Sequence, residues 1–313
     1  MMKRIYDTWL LMICTALLAG CSIAPALPET MNPPRTLPWQ VPENREKPIV
    51  ALALGSGAAR GFAHVGALKV LEESGIEADI VVGSSAGSVV GVLYCGGIRG
   101  DALIEAARQL DMWQLTDWTL PDRGVIGGEE LQAYVNKQLQ GRMIEALDTP
   151  FVAVATNLES GEAVLFNSGD PGMAVRASSA IPGVVSPVNI NGRDYVDGGL
   201  VSQVPVRIAR QLGADVVIAI DVSRQPLPKE ELESTLGVLQ QSFIIMQRRI
   251  AEDEVAEADV VIRPAVGEIA VGEFSLREET IAAGKAAAQA ALPEIKQLLA
   301  GKTREKKAAI PDE

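Results

Sequence analysis

Histidine is almost missing from this chain: one residue, His64, in 313. That scarcity argues against imidazole-rich metal chemistry, and no metal or cofactor is expected. Aromatic residues make up only 4%, a poor fit to the stacking platforms that bind single-stranded nucleic acid. Positive charge is short as well. Lysine and arginine total 28 against 40 acids, a net charge of −12 that repels polyanions. Cysteine appears three times, at Cys14, Cys21 and Cys95. What is abundant is small and apolar: 48% hydrophobic residues against 22% charged, a composition for a packed α/β core of Val, Ile, Leu and Ala rather than for disorder. The length suits one large domain or two small ones.

The N-terminus reads as a targeting segment. Lys3 and Arg4 precede an apolar run at residues 9–18, too short to cross a bilayer as a stable helix. The run ends in Leu18-Ala19-Gly20-Cys21, which resembles the bacterial lipobox. The resemblance implies cleavage after residue 20 and lipidation of Cys21. Several acyl chains, at about 0.8 kcal/mol per buried CH₂, would anchor the protein to the bilayer without help from surface charge. Ser22 stands where an Asp would resemble an inner-membrane retention signal, so the outer membrane, facing the periplasm, is the expected location. With Cys14 removed and Cys21 acylated, Cys95 has no intramolecular partner. Residues 21–48 hold seven prolines between positions 25 and 48 and read as an extended tether; a packed irregular arm is the alternative.

From residue 49 the chain alternates apolar strands with helices. Strands are expected at 49–54, 80–82, 151–155, 163–166, 194–196, 216–220 and 260–262. Helices are expected at 60–73, from 88, and at 101–110, 129–140, 204–212, 235–256 and 276–299. Ser275 and Glu278 have capping-box spacing, and Pro293 predicts a break in the last helix. Such alternation gives a mostly parallel sheet covered on both faces, a three-layer α/β/α sandwich. The expected domain spans 49–300, with its motifs in 49–216 and a polar tail at 301–313.

Three motifs stand at strand ends. The first is Gly55-Ser56-Gly57-Ala58-Ala59-Arg60-Gly61, a turn followed by a helix N-terminus, whose free N–H groups can hold a phosphate or an oxyanion. A dinucleotide site wants an acid at the end of the next strand; here Asp79 comes before that strand. The second is Gly83-Ser84-Ser85-Ala86-Gly87, a G-x-S-x-G on a strand-to-helix turn, where small flanking residues permit the cramped backbone that exposes a serine hydroxyl. The third is Asp197-Gly198-Gly199, by itself an ordinary turn signal. No histidine follows Ser85, so a Ser…Asp…His order is impossible. His64 falls in the first turn of a helix, where the dipole opposes the cation a general base must become. A carboxylate acting directly on the serine is the favoured arrangement.

Together these motifs, in this order, resemble the patatin-like phospholipase family. Arg176-Ala177-Ser178-Ser179-Ala180-Ile181-Pro182-Gly183 resembles that family's segment before the Asp motif. The resemblance covers about residues 49–265. It implies a Ser85–Asp197 dyad, an oxyanion hole at Gly57 and Ala58 with Ala86 as a further donor, and hydrolysis of acyl lipids without calcium. Ser56 and Ala58 depart from the family's loop glycines, and Ser202-Gln203 from its usual asparagines. Two other readings stay open: a lipid-binding module without turnover, and an esterase or acyltransferase of other substrates.

Overall fold

The computed structural model describes residues 32–39, 47–110, 117 and 123–301. The targeting segment, Cys21, most of the Pro-rich stretch and the tail from residue 302 lie outside the described residues. Among those described, no helix is long and apolar enough to cross a membrane.

Eight strands form one sheet: β1 (Val50–Leu54), β2 (Ile80–Ser84), β3 (Phe151–Asn157), β4 (Ala163–Phe166), β5 (Val188–Ile190), β6 (Arg193–Asp197), β7 (Val216–Ile220) and β8 (Val260–Ile262). The order is β5-β6-β3-β2-β1-β7-β8, with β4 also on β3. From β3 to β8 the strands run parallel. Among the described residues eight α-helices accompany them: α1 (Phe62–Glu73), α2 (Ala86–Cys95), α3 (Gly100–Gln109), α4 (Glu129–Gln138), α5 (Pro171–Ser178), α6 (Val206–Gln211), α7 (Thr235–Val255) and α8 (Arg277–Gly301).

The period-2 alternation of the strands sorts the core into two layers. Val50, Leu52 and Leu54 of β1 pack in one cluster with residues of α1, α2, α3 and α8. Ala51 and Ala53 pack in another with Val206 and Ile208 of α6 and Ala251 and Val255 of α7. The sheet is therefore buried on both faces, as parallel sheets are, and the α/β/α sandwich expected from the sequence is what forms.

Four local features differ from expectation or add to it. α8 runs unbroken through Pro293, because that residue is on the exposed face, where the carbonyl one turn back can be hydrated, while Ala288 and Ile295 on either side are fully buried. The capping box does not form: a 3-10 turn at Phe274–Leu276 precedes α8, and Glu278 instead pairs with Arg108 of α3 at 2.7 Å. α5 and β5 are additional elements; α5 starts with Asp170 capping the Met173 N–H and proline at its first position. Finally, part of the Pro-rich stretch is docked. Arg35 N–H donates to the Ser168 carbonyl at 2.9 Å, and Thr36 Oγ1 to that of Leu165 at 2.6 Å. Hydrogen-bonded structure thus begins upstream of Ile49.

Two features of this topology prepare a site. β1 is flanked by β2 on one side and by β7 on the other, so the loop after β1 lies where the strand order reverses, the place at which open α/β sheets bind ligands. The second feature is a register. β3 pairs with β2 as far as Ser84↔Val154, and one residue further on Ala155 pairs with Asp197 of antiparallel β6. β4 occupies the other edge of β3. β6 therefore runs head-on toward the end of β2, and Asp197 comes to rest beside Ser85.

Candidate active site

Ser85 stands between β2 and α2 with φ 52° and ψ −123°, a left-handed conformation that a non-glycine residue adopts only under constraint. The constraint is the close approach of the next turn. A Cβ at Gly83 would lie 2.5 Å from the Gly87 carbonyl oxygen, and one at Gly87 would lie 2.1 Å from that of Leu54. Both glycines of the elbow are required by contact rather than by φ. The Ser85 N–H donates to Ser178 Oγ at 3.0 Å, and Ser178 in turn donates to the Val154 carbonyl. Ser178, at the end of α5, thereby ties the elbow to β3. Its segment was flagged by resemblance, but its contact with the serine comes from pairing distant in sequence.

Ser85 Oγ donates to Asp197 Oδ2 at 2.6 Å. The other oxygen, Oδ1, accepts the Gly199 N–H at 2.7 Å. The backbone of Asp197 is fixed on both sides: its N–H donates to the Ala180 carbonyl at 3.0 Å, and its carbonyl accepts from Thr156 Oγ1 at 2.8 Å. Burial pushes the carboxyl up to about 6, against the opposing pull of the Ser85 and Gly199 hydrogen bonds. It is thus ionised at neutral pH and more basic than an exposed aspartate. Gly198 is needed because a Cβ there would meet the Val154 carbonyl at 2.1 Å.

The loop after β1 spends some of its N–H groups on structure and leaves others free. Gly55 N–H goes to the Ile220 carbonyl, Ser56 N–H to that of Gln203, Ala59 N–H to that of Val271 and Arg60 N–H to that of Gly57. The N–H groups of Gly57 and Ala58 have no partner among the described residues. Ala58 has φ 48°, so this alanine holds a left-handed turn that glycine would take more readily. Arg60, 4% exposed, spends its guanidinium on the backbone: Nε donates to the Val222 carbonyl and Nη1 to that of Ile269, each at 2.9 Å. Gly61 closes against Ala86, whose Cβ would be 2.5 Å from a side chain there. Ser56 Oγ meets Ser84 Oγ at 3.0 Å, linking this loop to the end of β2.

His64 does not reach toward catalysis. It is fully buried, Nε2 lies 2.8 Å from the Gly55 carbonyl oxygen, and burial lowers its pKa to about 4. With Nε2–H donating, Nδ1 is a buried acceptor with no partner. Asp194, the other acid near the motif, is engaged by Arg123 at 2.6 Å and by Asn189, which hold its pKa below the usual range. Asp197 is the acid on Ser85.

Ser85 opens on an apolar cavity lined by Phe62, Val89, Val90, Leu93, Leu103 and Ile181. A larger cavity of mixed polar and apolar lining, between α7 and residues 263–276, does not include Ser85.

The sequence profile of the patatin-like phospholipase family matches residues 52–210, which span all three motifs. The chain belongs to this family. Relatives include an uncharacterized NTE family protein of Mycobacterium tuberculosis, 38% identical over 179 residues, 56% of this chain and 49% of that one. Lysophospholipase NTE1 of Coccidioides immitis is 36% identical over 55% of this chain and 11% of its own length. Mouse patatin-like phospholipase domain-containing protein 6 is 34% identical over 56% of this chain and 14% of its own length. The chain thus spans about half the length of the mycobacterial relative and far less of the others. Among solved structures, VipD from Legionella pneumophila shares the fold with a TM-score of 0.56 at 14% identity, over 89% of this chain and 72% of that one.

Proposed function

We propose that this protein is a serine acyl-ester hydrolase of membrane phospholipids that works through a Ser85–Asp197 dyad. The observation that carries the reading is the 2.6 Å hydrogen bond from Ser85 Oγ, which lines an apolar cavity, to the buried carboxylate of Asp197. Membership of a phospholipase family and the lysophospholipase name of a relative support a lipid ester as substrate.

The reaction follows from the groups present. An acyl chain enters the apolar cavity and brings its ester carbonyl over Ser85. Oγ attacks the carbonyl carbon while its proton passes to Asp197 Oδ2. The carbonyl oxygen becomes an oxyanion and is held by the N–H groups of Gly57 and Ala58, with Ala86 as a third donor at the start of α2. Collapse of the intermediate breaks the ester C–O bond, and the leaving alkoxide takes the proton from Asp197. Water then attacks the acyl-enzyme, gives its proton to Asp197, and the fatty acid leaves as Ser85 recovers its own. The lipobox reading adds an anchor: Cys21 carries acyl chains that hold the protein on the bacterial envelope, at the outer membrane facing the periplasm, beside its substrate.

A fluorophosphonate probe tests the chemistry. Labelling at Ser85, together with fatty-acid release from phosphatidylcholine vesicles that is lost in Ser85→Ala, is the expected result. No label at Ser85 would favour a silent lipid-binding module, and turnover of p-nitrophenyl esters without any of phospholipid would favour an esterase.

A further inference from the structure

Among the described residues the buried acids are Asp170, Asp197 and Glu254. Asp170 caps α5 and Asp197 pairs with Ser85. Glu254, one residue before the end of α7, is 3% exposed and has no part in either. Both of its oxygens are used. Oε1 accepts from Ser202 Oγ at 2.5 Å, and Oε2 from the Val204 N–H at 2.8 Å. Between these two anchors Gln203 turns toward the loop after β1. Its carbonyl accepts the Ser56 N–H at 2.8 Å, and its Nε2 donates to the Ser56 carbonyl at 3.1 Å. Gln203 thus holds both backbone polar groups of Ser56, the residue directly before Gly57 and Ala58. Gly55 is packed on the same segment: a Cβ there would lie 3.1 Å from Val204 Cγ2.

We propose that Glu254 is a positioning residue for the hydrolysis: its carboxylate clamps residues 202–204 and, through Gln203, holds the Ser56–Gly57 peptide where the free N–H groups meet the oxyanion. The proposal rests on the reading of Ser85 as nucleophile. An ionised carboxylate accepts two strong hydrogen bonds, whereas a protonated one gives up part of that capacity. Burial pushes the Glu254 carboxyl up to about 7, against the pull of Ser202, Val204 and Arg207. Arg207 is the charged group facing it from α6 and is itself paired with Glu257; residues 202–204 bring no charged side chain. The clamp therefore loosens as pH falls through neutrality. Oxyanion donors need placement to a fraction of an ångström, so a loosened loop lowers kcat rather than binding.

The test uses the full chain in detergent micelles, with kcat and KM on p-nitrophenyl butyrate from pH 5 to 9. Glu254→Gln is expected to lower kcat about tenfold or more with KM within about twofold. Its acid limb should move from near 7 toward that of Asp197, near 6. Ser202→Ala removes one donor to the carboxylate and should push the acid limb upward, with a loss of about threefold in kcat. An unchanged acid limb in folded Glu254→Gln overturns the proposal, whether kcat is normal or reduced, since a merely structural glutamate would leave the limb in place. If Glu254→Gln does not fold, an unchanged limb in Ser202→Ala overturns it. Ser85→Ala separates the two readings. Hydrolysis surviving in that variant refutes the nucleophile, whereas its loss alongside an unchanged acid limb in Glu254→Gln refutes this proposal alone.

Discussion

Replacing Asp197 by asparagine should move activity and stability in opposite directions. Asparagine keeps an oxygen for the Gly199 N–H, now 2.7 Å from Oδ1, and fills the same space. Its amide faces Ser85 Oγ in place of Oδ2 and cannot take a proton. General-base assistance is worth about 10²- to 10⁴-fold, so turnover should fall by about three orders of magnitude, or roughly 4 kcal/mol in the barrier. Stability responds differently. Burial raises the Asp197 pKa from 3.8 to about 6, so the folded state holds a proton more tightly than the unfolded chain. Between these values stability falls as pH rises, and above about 6 the full penalty is present. A rise of this size corresponds to roughly 3 kcal/mol, an upper figure for what the neutral amide recovers at pH 8. At pH 3.5, below both values, the recovery should shrink to a few tenths of a kcal/mol, on the order of the noise of a melt. Thermal melts of both proteins at pH 3.5 and 8, with p-nitrophenyl ester turnover at pH 8, measure both arms; the variant should melt several degrees higher at pH 8 only. A folded Asp197→Asn protein with turnover within tenfold of wild type, or one less stable than wild type at pH 8, would refute the argument.

The double variant Ser85→Ala/Asp197→Asn should be little slower than either single one in the same turnover assay, because both remove the same proton transfer; multiplicative losses would show independent roles. Ser178→Ala strips the Ser85 N–H of its acceptor, so kcat should drop about tenfold with KM nearly constant, read by steady-state kinetics. His64→Gln should keep activity within roughly tenfold. It should also flatten the stability profile: the histidine pKa falls from 6.5 to about 4 on folding, so its contribution is intact above about 6.5 and lost as pH drops toward 4. A steep acid loss persisting in that variant would contradict this. Cys21→Ala should leave the membrane fraction or stay unprocessed, as judged by fractionation and intact mass.

Much of the sandwich was legible because its central strands are fully buried, so each reads as a short apolar run bounded by glycine or a turn: 80–82, 151–155 and 216–220 lie on observed strands, and 49–54 overshoots β1 by one residue. The short elements escaped. β5 has three residues with an exposed Asn189 at its centre, too little pattern to detect. α5 did carry a signal, Asp170-Pro171, in the positions of a helix cap and first residue. Pro293 predicts a break from intrinsic propensity alone, and the buried turns on either side of it, at Ala288 and Ile295, override that propensity.

What the sequence could not disclose is why an acid 112 residues from the serine should touch it. The motif Asp197-Gly198-Gly199 reads as a turn, and nothing local marks its aspartate as basic. Its basicity is made by the fold. β3 runs past the end of β2 by the three residues that pair with β6, so the antiparallel strand delivers Asp197 into the gap where β2 ends. That same position excludes water and raises the pKa toward the working range of a base. An exposed aspartate near 3.8 would be a poor acceptor for a serine proton. In a serine–histidine enzyme the imidazole brings a suitable pKa with it, and the carboxylate only orients it. In the proposed dyad one carboxylate does both, and burial supplies what imidazole would have. The charge penalty that makes Asp197 unfavourable for folding is therefore the same quantity that suits it to the proposed role of base.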